Sequence, residues 1–290
     1  RQAMRVAVLA ANSAQYIATV LGIMRAGLVA VPVNWKLPRA LIAQVIADSG
    51  ARLVFCDPPR GADVPPELQC VVFDQWRLLP LPENIVTFSA YTRRADSPVR
   101  KPFDPHVPEA GEAALILYTS GSTGRPKGVV LSHQSHLWVV ATRLAGQPLS
   151  GERLLIAAPL FHMNALALTF LALAAHVETV LLPQFNARQY INAINEWHCT
   201  WLTSVPPMIA MMLQERQLLE QADLSSVRYV RMGSAPVSDA LLGQIHSLLP
   251  NAKVINAYGT TEGGPVVFGP HPNGLPTPPR AVGVAHPLVD

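Results

Sequence analysis

The stretch Tyr118-Thr119-Ser120-Gly121-Ser122-Thr123-Gly124-Arg125-Pro126-Lys127-Gly128 follows a short apolar run. Thr119, Ser120, Ser122 and Thr123 bring hydroxyl donors. Gly121, Gly124 and Gly128 let backbone amides come close to an anion, because glycine has no Cβ. Lys127 adds a mobile positive charge. A polyphosphate requires that combination, since oriented N–H and O–H donors and a cation must offset charge that develops on departing oxygens. A polar surface turn is the plain alternative for the same composition.

The spacing excludes several better-known loops. Walker A needs Gly-Lys followed by Ser or Thr, and the chain has no Gly-Lys pair. A dinucleotide fingerprint needs Gly-x-Gly, and no two of the 18 glycines stand two apart. Glycines four apart enclose only Arg125-Pro126-Lys127 or Thr260-Thr261-Glu262, so there is no serine nucleophile elbow.

Three more groupings carry chemistry. Tyr258-Gly259-Thr260-Thr261-Glu262 follows the apolar run Val254-Ile255-Asn256-Ala257. It places an aromatic face, a flexible glycine, two hydroxyls and a carboxylate at a strand end, where α/β sheets bind ligands. An isolated Glu262 would read as a solvated loop carboxylate. Gly233-Ser234-Ala235-Pro236 follows another strand-like run; small residues there let a flat ring approach the backbone, though such turns are often Gly/Ser/Pro-rich anyway. Pro159-Leu160-Phe161-His162 sets a histidine before an apolar helix, where a packed core histidine is the bland reading. His133 and His136 have no third ligand at a suitable spacing, which argues against zinc. Trp138, Trp197 and Trp201 read as core or interface aromatics.

The elements that must position these groups alternate. Strands are expected over 5–9, 28–33, 52–55, 71–73, 113–118, 128–131, 153–157, 178–182, 200–204, 228–232 and 253–257. Helices are expected from Asn12 or Ser13 to Gly27, from Pro38 to Gly50, and over 132–144, 164–175, 186–196, 206–217 and 238–248. The fold class is therefore α/β, with parallel or mixed sheets flanked by helices in alternating layers. Residues 1–56 are expected to form a first α/β unit, 57–111 a proline-rich connector with one short strand, and 112–290 the portion that carries the donor-rich loop and the other chemical groupings. No repeat and no low-complexity tract interrupts the series.

Composition narrows the function classes. The 290 residues are 50% hydrophobic but only 14% charged, well below the usual ~25%, which excludes a disordered, charge-rich chain. The 27 prolines punctuate a folded chain without collagen-like period. A net charge of +3, with no Lys/Arg run longer than Arg93-Arg94 or Arg100-Lys101, argues against nucleic acid. Cys56, Cys70 and Cys199 are odd in number and lack a CxxC pair, which suggests a reducing, cytoplasmic setting without a disulfide framework. The longest apolar stretch, 165–175, is about half of what spans a bilayer.

With its continuation Val129-Val130-Leu131-Ser132-His133, the 118–128 loop resembles the phosphate-loop motif of the adenylate-forming enzymes. That superfamily includes acyl- and aryl-CoA ligases, luciferases and peptide-synthetase adenylation domains. Tyr258–Glu262 and Gly233–Pro236 resemble two further motifs of the family, and the likeness covers essentially the whole chain. The Gly-x-Ala-Pro form looks more like CoA ligases than peptide synthetases.

The resemblance implies the large N-terminal domain of such an enzyme. A carboxylic acid would attack the α-phosphate of ATP, release pyrophosphate, and then be captured by the thiol of CoA. It implies nucleotide contacts from Thr119, Ser120, Gly121, Ser122, Thr123, Gly124 and Lys127. Further contacts would come from Gly233, Ser234, Ala235 and Pro236, and from Asn256, Ala257, Tyr258, Gly259, Thr260 and Thr261. Lys127, Thr261, Glu262 and His162 would take the catalytic roles, with Glu262 holding Mg2+ and His162 gating or polarising the carboxylate region. The acid pocket would be lined from His162-Met163-Asn164, 204–212 and 233–236. A homodimer is left open as a mode of assembly.

The family's ribose-binding Thr-Gly-Asp motif and its small C-terminal domain with a catalytic lysine lie downstream of the motifs found here. Ala281–Pro287 resembles the segment just before them. The expectation is therefore a fragment of the large domain, able at most to bind ATP or adenylate weakly. The alternatives are a peptide-synthetase-type adenylation domain and a noncatalytic nucleotide- or acyl-binding module.

Overall fold

The structure, a computed structural model, describes residues 3–73, 85–88, 103–119, 121, 125–146, 149–278, 281–287 and 289. The chain divides into two compact units, Arg1–Gln134 and Ser135–Asp290.

The first unit is built on a seven-stranded sheet. Its strands are β1 (Arg5–Leu9), β2 (Val29–Pro32), β3 (Ala51–Cys56), β4 (Gln69–Val72), β5 (Ile85–Thr87), β6 (Ala113–Thr119) and β7 (Lys127–Ser132). They are ordered β5-β4-β3-β1-β2-β6-β7. Every neighbouring pair is parallel except β6–β7, which is antiparallel and sets Thr119 opposite Lys127. Strand pairing thus carries this unit past residue 112. Val6 and Val8 are as fully buried as Ala7 and Leu9, the continuous apolar pattern of strands covered on both faces.

Helix α1 (Ala14–Arg25) starts where Ser13 Oγ accepts from the Tyr16 amide, so Ser13 and not Asn12 is the cap. Helix α2 (Arg39–Ser49) begins after Pro38 and ends at left-handed Gly50, φ +66°. Its Ile42, Val45 and Ile46 pack with Ala7, Val31, Val54 and Val72 in one core cluster. The segment expected to hold one strand holds two, since β5 extends the edge beyond β4. A 3-10 turn at Pro58–Asp63 lies between β3 and β4. Pairing in register also brings Cys56 and Cys70 together across β3 and β4, with sulfurs 3.2 Å apart, although both are free thiols.

The second unit has a fully parallel five-stranded sheet, ordered β12-β11-β10-β8-β9. Its strands are β8 (Arg153–Ile156), β9 (Glu178–Leu181), β10 (Trp201–Ser204), β11 (Tyr229–Met232) and β12 (Lys253–Asn256). The helices are α3 (His133–Gly146, which starts at the junction), α4 (Met163–Ala174), α5 (Ala187–Trp197), α6 (Pro206–Gln214), α7 (Arg216–Gln221) and α8 (Asp239–Leu248). Leu155, Leu202, Val230 and Met232 pack with Tyr190 and Ile191 of α5, Met208 and Met212 of α6, and Leu241 and Ile245 of α8.

Strand alternation turns the intervening residues, Trp201, Thr203 and Arg231, to the other face. The single helix expected over 206–217 is broken at Glu215, which pairs with Arg188 of α5 at 2.8 Å. Trp201 is buried, but Trp197 is half exposed and so is no core residue. A two-stranded ribbon, β13 (Phe268–Gly269) with β14 (Val284–Ala285), follows. No helix among the described residues is long and apolar enough to cross a membrane.

Candidate functional site

The loop ending at Lys127 belongs to the first unit. Thr119 closes β6 half-buried, and Lys127 opens β7 with an exposed side chain. Gly121 has φ +53°, and a Cβ there would collide with the Arg125 carbonyl, so this turn requires glycine. A Cβ on Gly128 would come within 2.9 Å of Ile116 Cγ2. Ser120, Ser122, Thr123 and Gly124 lie outside the described residues. The antiparallel β6–β7 pair therefore sets Thr119 and Lys127 opposite each other at the two ends of the loop, with glycine required at Gly121 and the cation placed where the returning strand begins.

The other groupings belong to the second unit, where the sheet brings two of them together. β11 and β12 run in register, Met232 opposite Asn256, and the Ala257 amide donates to the Met232 carbonyl at 2.7 Å. The chain leaving β11 thus starts its turn against the chain leaving β12. A Cβ on Gly233 would meet the Ala257 carbonyl oxygen at 3.1 Å, so glycine is what allows the two segments to lie this close. Ser234 follows in the left-handed region, φ +67°, and Ser234, Ala235 and Pro236 are exposed.

The 258–262 segment folds back on itself. Thr260 bridges to Gly264, and Thr260 Oγ1 accepts from the Gly263 amide at 2.8 Å. Gly259 tolerates no side chain, because a Cβ would stand 2.6 Å from the Gly264 carbonyl oxygen and 2.8 Å from Pro265 Cα. Tyr258 is 51% exposed, with its ring edge-on to Phe268 at 5.6 Å. An aromatic surface this open, held from behind by a second ring, can receive a planar ligand. Asn256, Ala257 and Thr261 are half-buried, and Glu262 is exposed. Glu262 belongs to no cluster of three or more His, Cys, Asp or Glu among the described residues. One hard oxygen donor in an open loop suits Mg2+, which keeps waters and phosphate oxygens as its remaining ligands, and is unlike a zinc cage.

His162 is the exposed N-cap residue of α4, its ring 4.6 Å from that of Phe161. Two residues on, Asn164 Oδ1 accepts from Arg231 Nη1 at 2.9 Å, which ties the start of α4 to β11 just before Gly233. Arg231 is the residue that sequence reasoning missed. Its only signal was an arginine inside an apolar run, Tyr229-Val230-Arg231-Met232, and strand alternation by itself would have allowed it to face water.

The AMP-binding enzyme family model matches residues 1–290. The chain is 33% identical over 270 residues to the indoleacetate–CoA ligase of Aromatoleum aromaticum, covering 90% of this chain and 51% of that protein. It is 33% identical over 272 residues to a fatty acid–[acyl-carrier-protein] ligase of Streptomyces coeruleorubidus, covering 90% and 49%. The inhibitor-bound N-terminal domain of FACL13 from Mycobacterium tuberculosis superposes with TM-score 0.74 at 26% identity, over 90% of this chain and 64% of that one. The chain spans about half the length of the curated relatives it matches. With a glycine-dependent donor loop in one unit, two motif turns packed edge to edge in the other, and a family model matched from end to end, the chain belongs to the AMP-binding enzyme family.

Proposed function

We propose that this protein activates a carboxylic acid with ATP, forming an acyl-adenylate and pyrophosphate, and then passes the acyl group to the thiol of CoA. The observation that carries the reading is the packing of Gly233 against Ala257. It sets the small-residue turn and the Tyr258–Glu262 loop side by side at the carboxyl end of a parallel sheet, the edge where such sheets bind ligands.

The chemistry follows from the groups available. A carboxylate is a poor acyl donor because oxide is a poor leaving group. Attack of its oxygen on the α-phosphorus of ATP breaks the bond to the bridging oxygen and expels pyrophosphate. The thiol then attacks the acyl carbon, losing its proton, and AMP departs. In this reading Lys127 and the donors of residues 119–124 neutralise charge on the departing pyrophosphate. Tyr258 stacks on the adenine, with Gly233–Pro236 and Asn256–Thr260 forming the walls around it. Thr261 orients the α-phosphate, Glu262 holds Mg2+, and His162 stands over the carboxylate region. The metal, when bound, screens phosphate charge. Three free, buried cysteines suit a reducing cytoplasm.

CoA is the preferred acceptor because relatives bear CoA-ligase names, while one relative named for an acyl-carrier protein supports a carrier thiol as the second reading. The test is ATP–pyrophosphate exchange by the full-length protein across a panel of carboxylic acids, followed by thioester formation with CoA or with a carrier protein. Exchange dependent on an acid supports activation. Calorimetric ATP binding with no exchange for any acid would leave a noncatalytic binding module instead.

A further inference from the structure

The electrostatics of the α4 N-terminus are one-sided. Arg231 is only 5% exposed, yet among the described residues no carboxylate forms an ion pair with it. Its one hydrogen bond there is the 2.9 Å contact to Asn164 Oδ1, and its Nε is buried with no acceptor. Asn164 lies in the first turn of α4, a 12-residue helix whose N-cap, His162, makes no side-chain capping bond. The guanidinium is thus bonded to a side chain of the first turn of α4, at the positive end of the helix dipole. A second guanidinium, Arg143, repels it as well. Arg143 lies in the last turn of α3, where the dipole favours a cation, but Arg231 has no such relief. Burial first, and then Arg143, push Arg231 down to about 9. On β10, in register with Arg231, Thr203 offers a buried hydroxyl with no partner among the described residues. Buried charges are normally paired, and here three positive features and an unpartnered hydroxyl converge without an anion among the described residues.

The depth of this point identifies the missing group. Arg231 sits one residue inside the carboxyl edge of the sheet, whereas the Gly233 and Ala257 turns lie just outside it. A carboxylate that is to attack phosphorus must stand at those outer loops, and clamping it between guanidinium and helix dipole would blunt it as a nucleophile. We propose that Arg231, with Thr203 and the N-terminus of α4 at Asn164, binds a second carboxylate at the far end of the acid, so that the substrates are dicarboxylic acids. The inference rests on the acid-activation reading and deepens it.

Full-length protein is assayed by pyrophosphate exchange with straight-chain monocarboxylic acids from propionate to octanoate, each paired with its α,ω-diacid from malonate to suberate. The expected result is a KM for the best diacid roughly tenfold or more below that of its monoacid partner, since a site built to bond a polar group rejects ligands that lack it. Arg231→Met should remove that preference, and Arg231→Lys should restore part of it. Asn164→Asp supplies the counter-charge in place. It should raise the melting temperature and also abolish the diacid preference, which gives a readout even if Arg231→Met folds poorly. Equal use of both series by the native protein, or a diacid preference unchanged in Arg231→Met, would overturn the proposal. If neither these series nor any acid of the wider panel supports exchange, the activation reading fails by itself. Calorimetry with the diacids then decides the site separately: binding lost in Arg231→Met upholds it, and absence of binding to the native protein refutes it.

Discussion

The Tyr118 hydroxyl donates to Asp48 Oδ2 at 2.5 Å, joining the end of β6 to α2 across 70 residues of sequence. Tyr118 is the first residue of the donor-rich stretch, so this bond anchors the strand end from which that stretch continues. Burial, reinforced by the carboxylate, pushes the phenol up and keeps it a donor at all ordinary pH. Tyr118→Phe should cost about 1 kcal/mol in urea denaturation, the net worth of one such bond. In a double-mutant cycle with Asp48→Asn most of that loss should disappear. Full additivity would mean the two residues act independently.

Lys127 is exposed at the first position of β7 and packs no core, so its removal should not affect folding. Lys127→Ala is expected to slow pyrophosphate exchange by about 10²–10³-fold, the loss typical of one charge-stabilising donor, with an unchanged melting curve. Exchange at the native rate would remove Lys127 from the mechanism.

Gly259→Ala tests the Tyr258 loop without touching its polar groups. The new methyl would have to displace Gly264 or Pro265, both within 2.8 Å of where it must go. The loop lies outside the core clusters, so the expected outcome is a weakening of ATP binding by roughly tenfold or more with the fold retained. Calorimetric titration reads the affinity and circular dichroism the fold.

An acid-sensitive contact lies in the first unit. Glu112 Oε1 takes a bond from His106 Nε2 at 2.7 Å, and its other oxygen one from the Glu109 amide at 3.0 Å. These hold its carboxyl below the usual carboxylate range. A depressed folded value means the stabilisation is present above the unfolded pKa, about 4.3, and is lost as pH falls through the folded one. Glu112→Gln should therefore lower the urea midpoint at neutral pH, and the difference from the native protein should vanish in acid. A difference independent of pH would refute the assignment.

Cys199 is fully buried, and burial pushes its thiol up to about 11. Since the thiolate is the reactive form, iodoacetamide at mildly alkaline pH should leave Cys199 unlabelled until denaturant is added. Rapid labelling of the folded protein, seen by peptide mass mapping, would contradict its placement.

What the sequence determined by itself is local. Alternating apolar runs and helical periods, Gly50 as a helix limit, and the hydroxyl–glycine–lysine loop depend on near neighbours, and so the α/β class and the family could be read from residue order alone. Long-range pairing was decided only in three dimensions. The apolar pattern over 206–217 continues without a break, and the interruption at Glu215 comes with an ion pair to Arg188 on another helix. β5 exists through its pairing with β4, and no short-range pattern in a proline-rich stretch could announce that. The contact of Gly233 with Ala257 requires β11 and β12 to be neighbours in register. Arg231 followed the same rule: period-two alternation fixes which strand residues share a face, but only the helices laid on that face decide whether an arginine there meets water or the first turn of α4.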